Sequence, residues 1–242
     1  MEVTRKPFQG MLNIVRFNWH FYVLSLIGIG VTYYAGFHVL AALAFVASIV
    51  SLLVSWYIYD LSGLYELKWV NRTDAEQVIV NIHAGFDETS ILLRNQFKRA
   101  ECRMIDFYNP RKHTEVSIKR ARRAYPVLVG TVAADAGNLP LEDASVDKVF
   151  VIFSAHEIRD ERERVAFLKE LARIIKPGGE IYITEHLRDA VNFLVYNIGC
   201  FHFYPRGSWL RLFREANLKV NREIKLTPFI STFLISGNDS SF

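Results

Sequence analysis

The chain has 242 residues, of which 51% are hydrophobic and 22% are charged, and its formal net charge is +4. This length suffices for one α/β domain with an appendage, and the sequence has no internal repeats or low-complexity tracts. The two cysteines, Cys102 and Cys200, lack a CxxC partner. Reduced thiols are therefore expected, and neither a disulfide framework nor a metal site is predicted.

A long uncharged segment dominates the N-terminal quarter of the chain. No Asp, Glu, Lys or Arg residue occurs between Arg16 and Asp60, a run of 43 residues. One helix of that length would reach about 64 Å, roughly twice the hydrocarbon thickness of a bilayer. We therefore predict a transmembrane helical hairpin over 17–59, with helices at 17–35 and 38–59. The alternative is a pair of core helices in a soluble protein, which would normally carry a charged outer stripe.

The charges that flank this run predict its orientation. Basic residues lie before and after it and are absent from its turn: Arg5, Lys6, Arg16, Lys68 and Arg72. The positive-inside rule then leaves both ends in the cytoplasm. We predict an integral protein of the inner (cytoplasmic) membrane with a cytoplasmic segment at 1–16, a connector at 60–75 and a cytoplasmic domain at 76–242. A cleaved signal peptide fits poorly, because the apolar run is too long and lacks a cleavage motif.

From residue 76 onward, apolar strand patterns alternate with helical ones. Strands are predicted at 76–85, 101–107, 125–135, 147–153 and 180–185, and helices at 88–97, 111–124, 161–175 and 207–216. A closing pair of strands follows residue 217, and the tail at 237–242 is expected to be frayed. This alternation predicts an α/β fold with a doubly wound, mostly parallel, seven-stranded sheet.

The helix predicted at 111–124 is strongly basic, with Glu115 as the acidic residue opposing six Lys and Arg side chains. Two interpretations stay open: a solvated helix face, or a surface attracted to anionic lipid headgroups. Nucleic acid is not predicted as a partner, because no binding motif of interleaved aromatic and basic residues occurs.

The segment 134–186 contains two ordered motifs, ADAGNLPLEDASVDKVF and LARIIKPGGEIYITE. Their order resembles the second half of a class I S-adenosylmethionine-dependent methyltransferase. The resemblance covers about 76–236 and implies a Rossmann-like methyltransferase fold with S-adenosylmethionine as cofactor. It also implies that Asp135 meets the adenine amino group and that Ala136 leaves room for the ring.

The first loop, NIHAGFDE (81–88), departs from this family. The family has an acidic residue and a Gly-x-Gly-x-Gly turn here, whereas this chain has Asn81, His83, Gly85 and Asp87. Asp106, at the end of the second strand, is expected to accept hydrogen bonds from both ribose hydroxyls. The alternative for it is a carboxylate that caps a turn. The predicted cofactor-binding set is Asn81, His83, Gly85, Asp106, Asp135, Ala136 and Ser154.

Candidate catalytic residues follow the fourth and fifth strands, because ligands of open α/β sheets bind at the carboxyl ends of the strands. His156 is the first choice for a general base, since a neutral imidazole near pH 7 suits deprotonation of a phenol or enol. A loop histidine that caps the next helix is the alternative. Glu157 and His186 complete the predicted catalytic set, although Glu157 could instead pair with Arg159 and His186 could orient the acceptor. Glu185 is a further candidate base.

The connection at 192–209 is unusually apolar and aromatic. It suits a lid over a lipophilic acceptor or a surface that dips into lipid, and a packed core segment is the alternative. His202 and Tyr204 are predicted to bind the acceptor. The sequence thus predicts a membrane-anchored methyltransferase acting on a phenol, quinone, aryl-polyene or lipid, with membrane lipid as a second partner.

Two other functions are alternatives to this prediction. A non-catalytic methyltransferase-like membrane protein that serves as a binding or scaffold module is the alternative function, because the first loop is degenerate. A nicotinamide oxidoreductase is disfavoured by the absence of Gly-x-Gly-x-x-Gly. The sequence leaves the oligomeric state open.

Overall fold

The computed structural model describes residues 5–237. The predicted tail lies mostly outside the described residues. The helices are α1 (Gln9–Tyr34), α2 (His38–Trp56), α3 (Ser90–Gln96), α4 (Val116–Ala124), α5 (Glu161–Ile174), α6 (Ala190–Tyr196) and α7 (Arg206–Glu215). The strands are β1 (Val78–His83), β2 (Glu101–Asp106), β3 (Thr131–Ala133), β4 (Val146–Ile152), β5 (Ile175–His186), β6 (Leu218–Thr227) and β7 (Ile230–Gly237).

The strands form one seven-stranded sheet in the order β3-β2-β1-β4-β5-β7-β6. The first five are parallel, and β7 is antiparallel to both β5 and β6. The strand order reverses between β1 and β4, which makes their carboxyl ends the topological switch point where ligands of such sheets bind. The predicted doubly wound, mostly parallel sheet is confirmed.

Apolar layers cover both faces of the sheet, which explains why β4 is nearly all apolar. The larger layer contains Phe167 and Leu171 of α5 together with Trp209 and Phe213 of α7. The smaller layer, on the other face, packs Leu93 and Phe97 against Phe150 and Tyr182. Together these layers hold the carboxyl ends of the strands at one edge.

Several element bounds differ from the sequence-based ones. The strand predicted at 125–135 shrinks to Thr131–Ala133. Strand β5 already begins at Ile175, which pairs with Val146 of β4, and it runs through the Lys-Pro-Gly-Gly segment. The preceding helix α5 therefore ends at Ile174, one residue before its predicted end at 175. Gly178, with φ at 76°, accommodates the turn of backbone inside this strand.

The hairpin of α1 and α2 presents apolar side chains outward. Leu24 and Leu43, for example, are 62% and 61% exposed. Both helices are long and apolar enough to cross a membrane by length and composition. Ser25 and Ser48 form a hydrogen bond between the two helices, 3.0 Å from oxygen to oxygen. The uncharged run thus forms a pair of helices whose large apolar side chains are mostly exposed.

Helix α1 starts eight residues earlier than predicted and bends at Asn18, where φ is −116°. The part before the bend packs on the domain. Phe17 contacts the rings of Phe86 and Tyr125, and Arg120 of α4 donates a hydrogen bond to the Phe17 carbonyl. The predicted cytoplasmic segment therefore begins the same helix that continues into the hairpin.

Helix α2 continues into a π-helical turn at Tyr57–Leu61 that crosses the start of α1. Asp60 in this turn accepts hydrogen bonds from the backbone N–H groups of Gly10 and Met11, at 2.8 and 2.9 Å. A carboxylate at this position satisfies free N–H groups and stabilises the helix dipole. A Cβ atom on Gly10 would lie 2.3 Å from Tyr59 Cβ, so glycine permits the close crossing.

Candidate active site

Asn81, at the end of β1, organises the first loop from within. Its side-chain amide nitrogen, which carries two hydrogens, lies 2.8 to 3.2 Å from three acceptors, Asp87 Oδ1, Thr89 Oγ1 and Ser90 Oγ. Asp87 Oδ1 also accepts the backbone N–H groups of Thr89 and Ser90, at 3.0 and 2.9 Å. Asn81 is buried, and its bonds fix the loop that leads into α3.

His83 lies buried beneath the same loop, between two carboxylates. Its Nδ1 accepts the Gly85 N–H at 3.3 Å and lies 3.8 Å from Asp106 Oδ1, while Nε2 lies 3.7 Å from Asp87 Oδ2. Burial lowers the pKa of His83 and outweighs the opposing effect of the two carboxylates. The imidazole is therefore neutral at pH 7, so it adds no positive charge beside the cofactor loop.

Gly85 adopts a φ of +88°, and the Arg122 side chain covers it. A Cβ atom at Gly85 would lie 2.7 Å from Arg122 Nη1 and 3.0 Å from Tyr108 Cβ. The guanidinium also pairs with Asp106 Oδ2 at 2.5 Å and lies 4.4 Å from the Tyr108 ring centre. Arg122 thus occupies the space in which a cofactor would approach the glycine turn.

Asp106 has both carboxylate oxygens engaged. Oδ1 accepts the Tyr108 N–H at 2.9 Å and Oδ2 accepts Arg122. The Oδ1 bond matches the alternative role that the sequence left open for Asp106, a carboxylate that caps a turn. Contact with both ribose hydroxyls requires the Arg122 side chain, which is 29% exposed, to swing towards solvent.

A cleft at the carboxyl ends of β2 and β3 contains the remaining predicted nucleoside contacts. One cavity of about 440 Å³ is lined by Phe107, Tyr108, Asn109, Pro110, Arg111, Ala134 and Asp135. A smaller cavity of about 120 Å³ shares Phe107, Asn109 and Asp135 with it and includes Ala136. The larger volume falls within the range of ligand pockets, about 300–1,000 Å³.

Asp135 is the acidic residue common to both cavities. Its Oδ1 accepts the Gly137 N–H at 2.8 Å, and within residues 5–237 no side chain or backbone group donates to Oδ2. The apolar side chains of Phe107, Pro110 and Ala134 beside the Asp135 carboxylate suit a purine ring with an exocyclic amino group. The residues present therefore fit the nucleoside half of S-adenosylmethionine, while Arg122 covers the region expected for its amino-acid half.

Ser154, just after β4, bonds inward. Its hydroxyl donates to the Ile82 carbonyl at 2.9 Å and is buried. This bond joins the ends of β4 and β1 at the switch point. Contact between Ser154 and the cofactor stays a prediction.

His156, predicted as the general base, lies between two carboxylates at the ends of β4 and β5. Its Nδ1 is 2.6 Å from Glu185 Oε2, and its Nε2 is 3.4 Å from Glu157 Oε1. Burial lowers the pKa of His156, but Glu185 and Glu157 outweigh burial and raise that pKa to about 10. The imidazole is therefore protonated at pH 7, which differs from the neutral base that the sequence suggested.

Glu157 and His202 extend this cluster. His202 Nδ1 is 3.1 Å from Glu115 Oε1, and its Nε2 is 4.0 Å from Glu157 Oε1. Burial raises the pKa of Glu157, but the neighbouring His156 outweighs this and lowers the pKa to about 2. The structure thus unites three sequence-predicted residues, His156, Glu157 and His202, with Glu115, which the sequence did not indicate.

His186, the third predicted catalytic residue, is enclosed by aromatic rings away from this cluster. Its Nδ1 lies 3.0 Å from the Phe229 carbonyl and its Nε2 lies 2.8 Å from the Tyr59 hydroxyl. Because the carbonyl can only accept, Nδ1 carries the proton and Nε2 accepts from Tyr59. Burial lowers the pKa of His186 to about 4. These bonds join the sheet to the hairpin and leave neither nitrogen for an acceptor.

Tyr204 lies at the base of the apolar connection after α6. Its ring packs against the guanidinium of Arg164, 3.6 Å away, and its hydroxyl donates to the Arg159 carbonyl at 3.5 Å. Acceptor binding by Tyr204 stays a prediction. The rest of the connection exposes large apolar side chains: Phe193, Leu194, Ile198 and Phe201.

Glu88 joins the first loop to the N-terminal helix, a role that the sequence did not indicate. Its carboxylate accepts hydrogen bonds from Gln9, Asn13 and Tyr65 at 3.0 to 3.3 Å and pairs with Arg5. The first loop is thereby joined to the start of α1. No local pattern could have indicated this, because Gln9 and Asn13 lie more than 70 residues away in sequence.

Comparison with known proteins supports the fold and the cofactor. Residues 85–183 match the family described as "Methyltransferase domain". A S-adenosylmethionine-dependent methyltransferase from Aquifex aeolicus superposes with a TM-score of 0.50 at 17% identity, covering 66% of this chain and 81% of that one. The fold is the Rossmann-like fold of these enzymes, and S-adenosylmethionine is the cofactor that the matched domain implies.

Two curated relatives are named for quinone biosynthesis and for a benzoquinol, respectively. The ubiquinone/menaquinone biosynthesis C-methyltransferase of Caulobacter sp. (strain K31) is 32% identical over 111 residues, 45% of this chain and 42% of the relative. The mitochondrial 2-methoxy-6-polyprenyl-1,4-benzoquinol methylase of Leishmania donovani is 28% identical over 126 residues, 51% of this chain and 43% of the relative. The chain thus spans less than half the length of these relatives.

Proposed function

We propose that this protein is an S-adenosylmethionine-dependent methyltransferase that is anchored in the cytoplasmic membrane and methylates a lipophilic, quinone-like small molecule. One observation carries the proposal: the apolar hairpin is docked on the edge of the sheet where the cofactor cleft opens. Tyr59 bonds to His186 at the tip of β5, and Glu88 joins α1 to the first loop. A hairpin inserted in a bilayer would hold this edge at the membrane surface.

The geometry of the hairpin supports a membrane location. Helix α2 has 19 residues and is about 28 Å long, close to the roughly 30 Å of bilayer hydrocarbon. The hydroxyls of Thr32, Ser48 and Ser55 donate to carbonyls four residues earlier in the same helix. Internal bonds of this kind are required where no water is available. Basic residues on both flanks favour a cytoplasmic position for the domain.

Helix α4 supports the same placement. Arg120 bonds to the Phe17 carbonyl next to the bend of α1, and Lys119 and Arg123 are exposed on the same helix. Basic side chains near an anionic leaflet contribute about 1 kcal/mol each to binding. We therefore assign the basic segment 111–124 to headgroup contact rather than to a merely solvated face.

The acceptor class rests on the curated relatives and on the segment after β5. Leu194 and Ile198 are 74% and 82% exposed although they are apolar. Helix α6 lies beside α2, and Tyr196 packs in one cluster with Val54 and Ile58 at the end of the hairpin. We propose that this segment lies in the lipid interface and admits the acceptor from the bilayer.

In this function the residues of the chain bind and align the reactants. Methyl transfer is an in-line displacement at the sulfonium carbon, which the cofactor supplies when bound. Asp135 would hold the adenine amino group and Asp106 the ribose, after Arg122 has moved aside. Alignment of acceptor and methyl group within near-attack distance then provides most of the rate enhancement.

A non-catalytic scaffold is the alternative, favoured by Arg122, which covers Gly85 and engages Asp106. Thermal melting of the detergent-solubilised full chain with S-adenosylhomocysteine separates the two functions. We expect millimolar ligand to raise the melting temperature, and more so in Arg122→Ala, with the exposed Arg123→Ala as the matched control. No stabilisation in any of the three chains would favour the scaffold.

A further inference from the structure

We propose that His156, Glu157 and His202 form a binding site for one divalent transition-metal ion on the acceptor side of the cleft. One ligand atom from each of the three side chains lies within 4.8 Å of the other two. Two imidazoles and one carboxylate on one face of an ion form a familiar donor set for divalent iron, zinc and related metals, with positions left open.

Carboxylates behind both imidazoles support this assignment. Glu185 Oε2 lies 2.6 Å from Nδ1 of His156, and Glu115 Oε1 lies 3.1 Å from Nδ1 of His202. The Nδ1 atom of His156 is thereby held as a donor, whereas Nδ1 of His202 also lies 2.5 Å from Arg159 Nη2 and can donate to Glu115 only once that guanidinium has moved. In both rings Nε2 faces Glu157 Oε1. Metal-binding histidines almost always have such a partner on the second nitrogen, which fixes the ring and the tautomer.

The charge of the cluster also suits a divalent ion. Glu115, Glu157 and Glu185 contribute three negative charges, and Arg159 contributes one positive charge through its contact with Glu115. A dication that replaces the proton on Nε2 of His156 balances the remaining two negative charges. Arg159 Nη2 lies 2.5 Å from Nδ1 and 2.7 Å from Nε2 of His202, so the guanidinium must withdraw from the ring when the ion binds.

The position of the site suggests its role, and this part of the inference rests on the proposed function. His156 follows β4 and Glu185 is the penultimate residue of β5, so the ion would lie at the carboxyl edge, next to the apolar segment after α6. There it would hold a hydroxyl oxygen of the acceptor as the oxyanion, with the proton released to solvent. The acceptor then supplies the electron pair for the new bond to methyl, and the sulfonium sulfur retains the pair of the broken bond.

Calorimetric titration of the EDTA-treated, detergent-solubilised full chain with Zn²⁺ tests the site, together with the visible spectrum of the Co²⁺ form. We expect one tight site per chain. His202→Ala should weaken it at least roughly tenfold, because second-shell changes alone cost about 10- to 100-fold. Arg159→Ala should tighten it, and His38→Ala, which removes an exposed histidine outside the cluster, should leave it unchanged.

His202 is 28% exposed at its side chain, so its variant is expected to fold, and its melting temperature checks this. Zn²⁺ binding that is absent in the unaltered chain, or equally tight in His202→Ala, would overturn the site. Cofactor binding is measured separately with S-adenosylhomocysteine. A chain that binds this ligand but no metal refutes the metal site alone, and a chain that binds metal but not the ligand refutes the proposed function alone.

Discussion

Asp135 is the residue whose removal tests the cofactor cleft most simply, because it lines both cavities at the end of β3. Asp135→Ala should raise the Kd for S-adenosylhomocysteine at least roughly tenfold, since hydrogen bonds to a charged group contribute about 1.5–3 kcal/mol. Calorimetry in detergent measures the change. Asp74→Ala, which removes an exposed carboxylate paired with Arg99, is the matched control. Unchanged affinity in Asp135→Ala would contradict the placement of adenine.

His186 gives the junction between sheet and hairpin a defined dependence on pH. Burial lowers its pKa to about 4 in the folded chain, against 6.5 for the ordinary group. The unfolded chain therefore binds more protons between these values, and the stabilising effect present above pH 6.5 is lost as the pH falls towards 4. The loss reaches about 3 kcal/mol at most.

Melting curves at pH 7 and pH 5 measure this effect. The unaltered chain should lose more stability between the two values than His186→Gln, which keeps a hydrogen-bonding side chain without the titration. Equal losses in both chains would show that His186 is not the group responsible.

Site residues could be predicted from the sequence where a local pattern marks them, and not where their partners are distant along the chain. Asp135 and Asp106 were identifiable because each ends a strand, a position that the sequence pattern marks. Arg122 and Glu88 were not, since their partners are set by packing of distant segments, Glu88 with α1 and Arg122 with the first loop. The charge state of His156 was also beyond the sequence, because Glu185 lies on another strand, 29 residues away.

At the scale of elements, the close crossing of α1 and the π-helical turn holds the hairpin on the domain. Gly10→Ala should destabilise the detergent-solubilised chain by about 1–3 kcal/mol, because the new methyl group would overlap Tyr59. Gly28→Ala in the same helix meets nothing within 4 Å and is the matched control. Thermal melting distinguishes them, and equal melting temperatures would argue against a tight crossing.

Helix α6 and the turn that follows it offer a second test at this scale. With benzoylphenylalanine at position 194 in reconstituted vesicles, irradiation should cross-link the chain to lipid. The same label at 142, an exposed position in the loop before β4, should not. If the label at 194 instead cross-links two copies of the chain, this segment mediates self-association and does not contact lipid.

The elements themselves were largely predictable, because apolar periodicity marks strands and helices that are buried. The exceptions have physical causes. The start of α1 was missed because Gln9 and Asn13 are polar and contact the domain rather than lipid. Strand β3 is short because the segment 125–130 forms a loop beside α4, although its residues favour strands.

At the scale of the whole molecule, the hairpin and the sheet edge work as one unit. Docking of α1 on the first loop and of Tyr59 on β5 would place cofactor and acceptor at the same membrane surface. Confinement to one surface raises the effective concentration of a lipophilic acceptor at the site. The sequence predicted a separate anchor and enzyme domain. In the structure the two are joined by direct contacts.

Transfer of a labelled methyl group tests this account most directly. Membranes containing the full chain are incubated with S-adenosylmethionine labelled on its methyl group and then extracted with organic solvent. The account predicts label in the organic phase with the unaltered chain and far less with Asp135→Ala. Label that enters protein alone, or equal organic label in both chains, would contradict it.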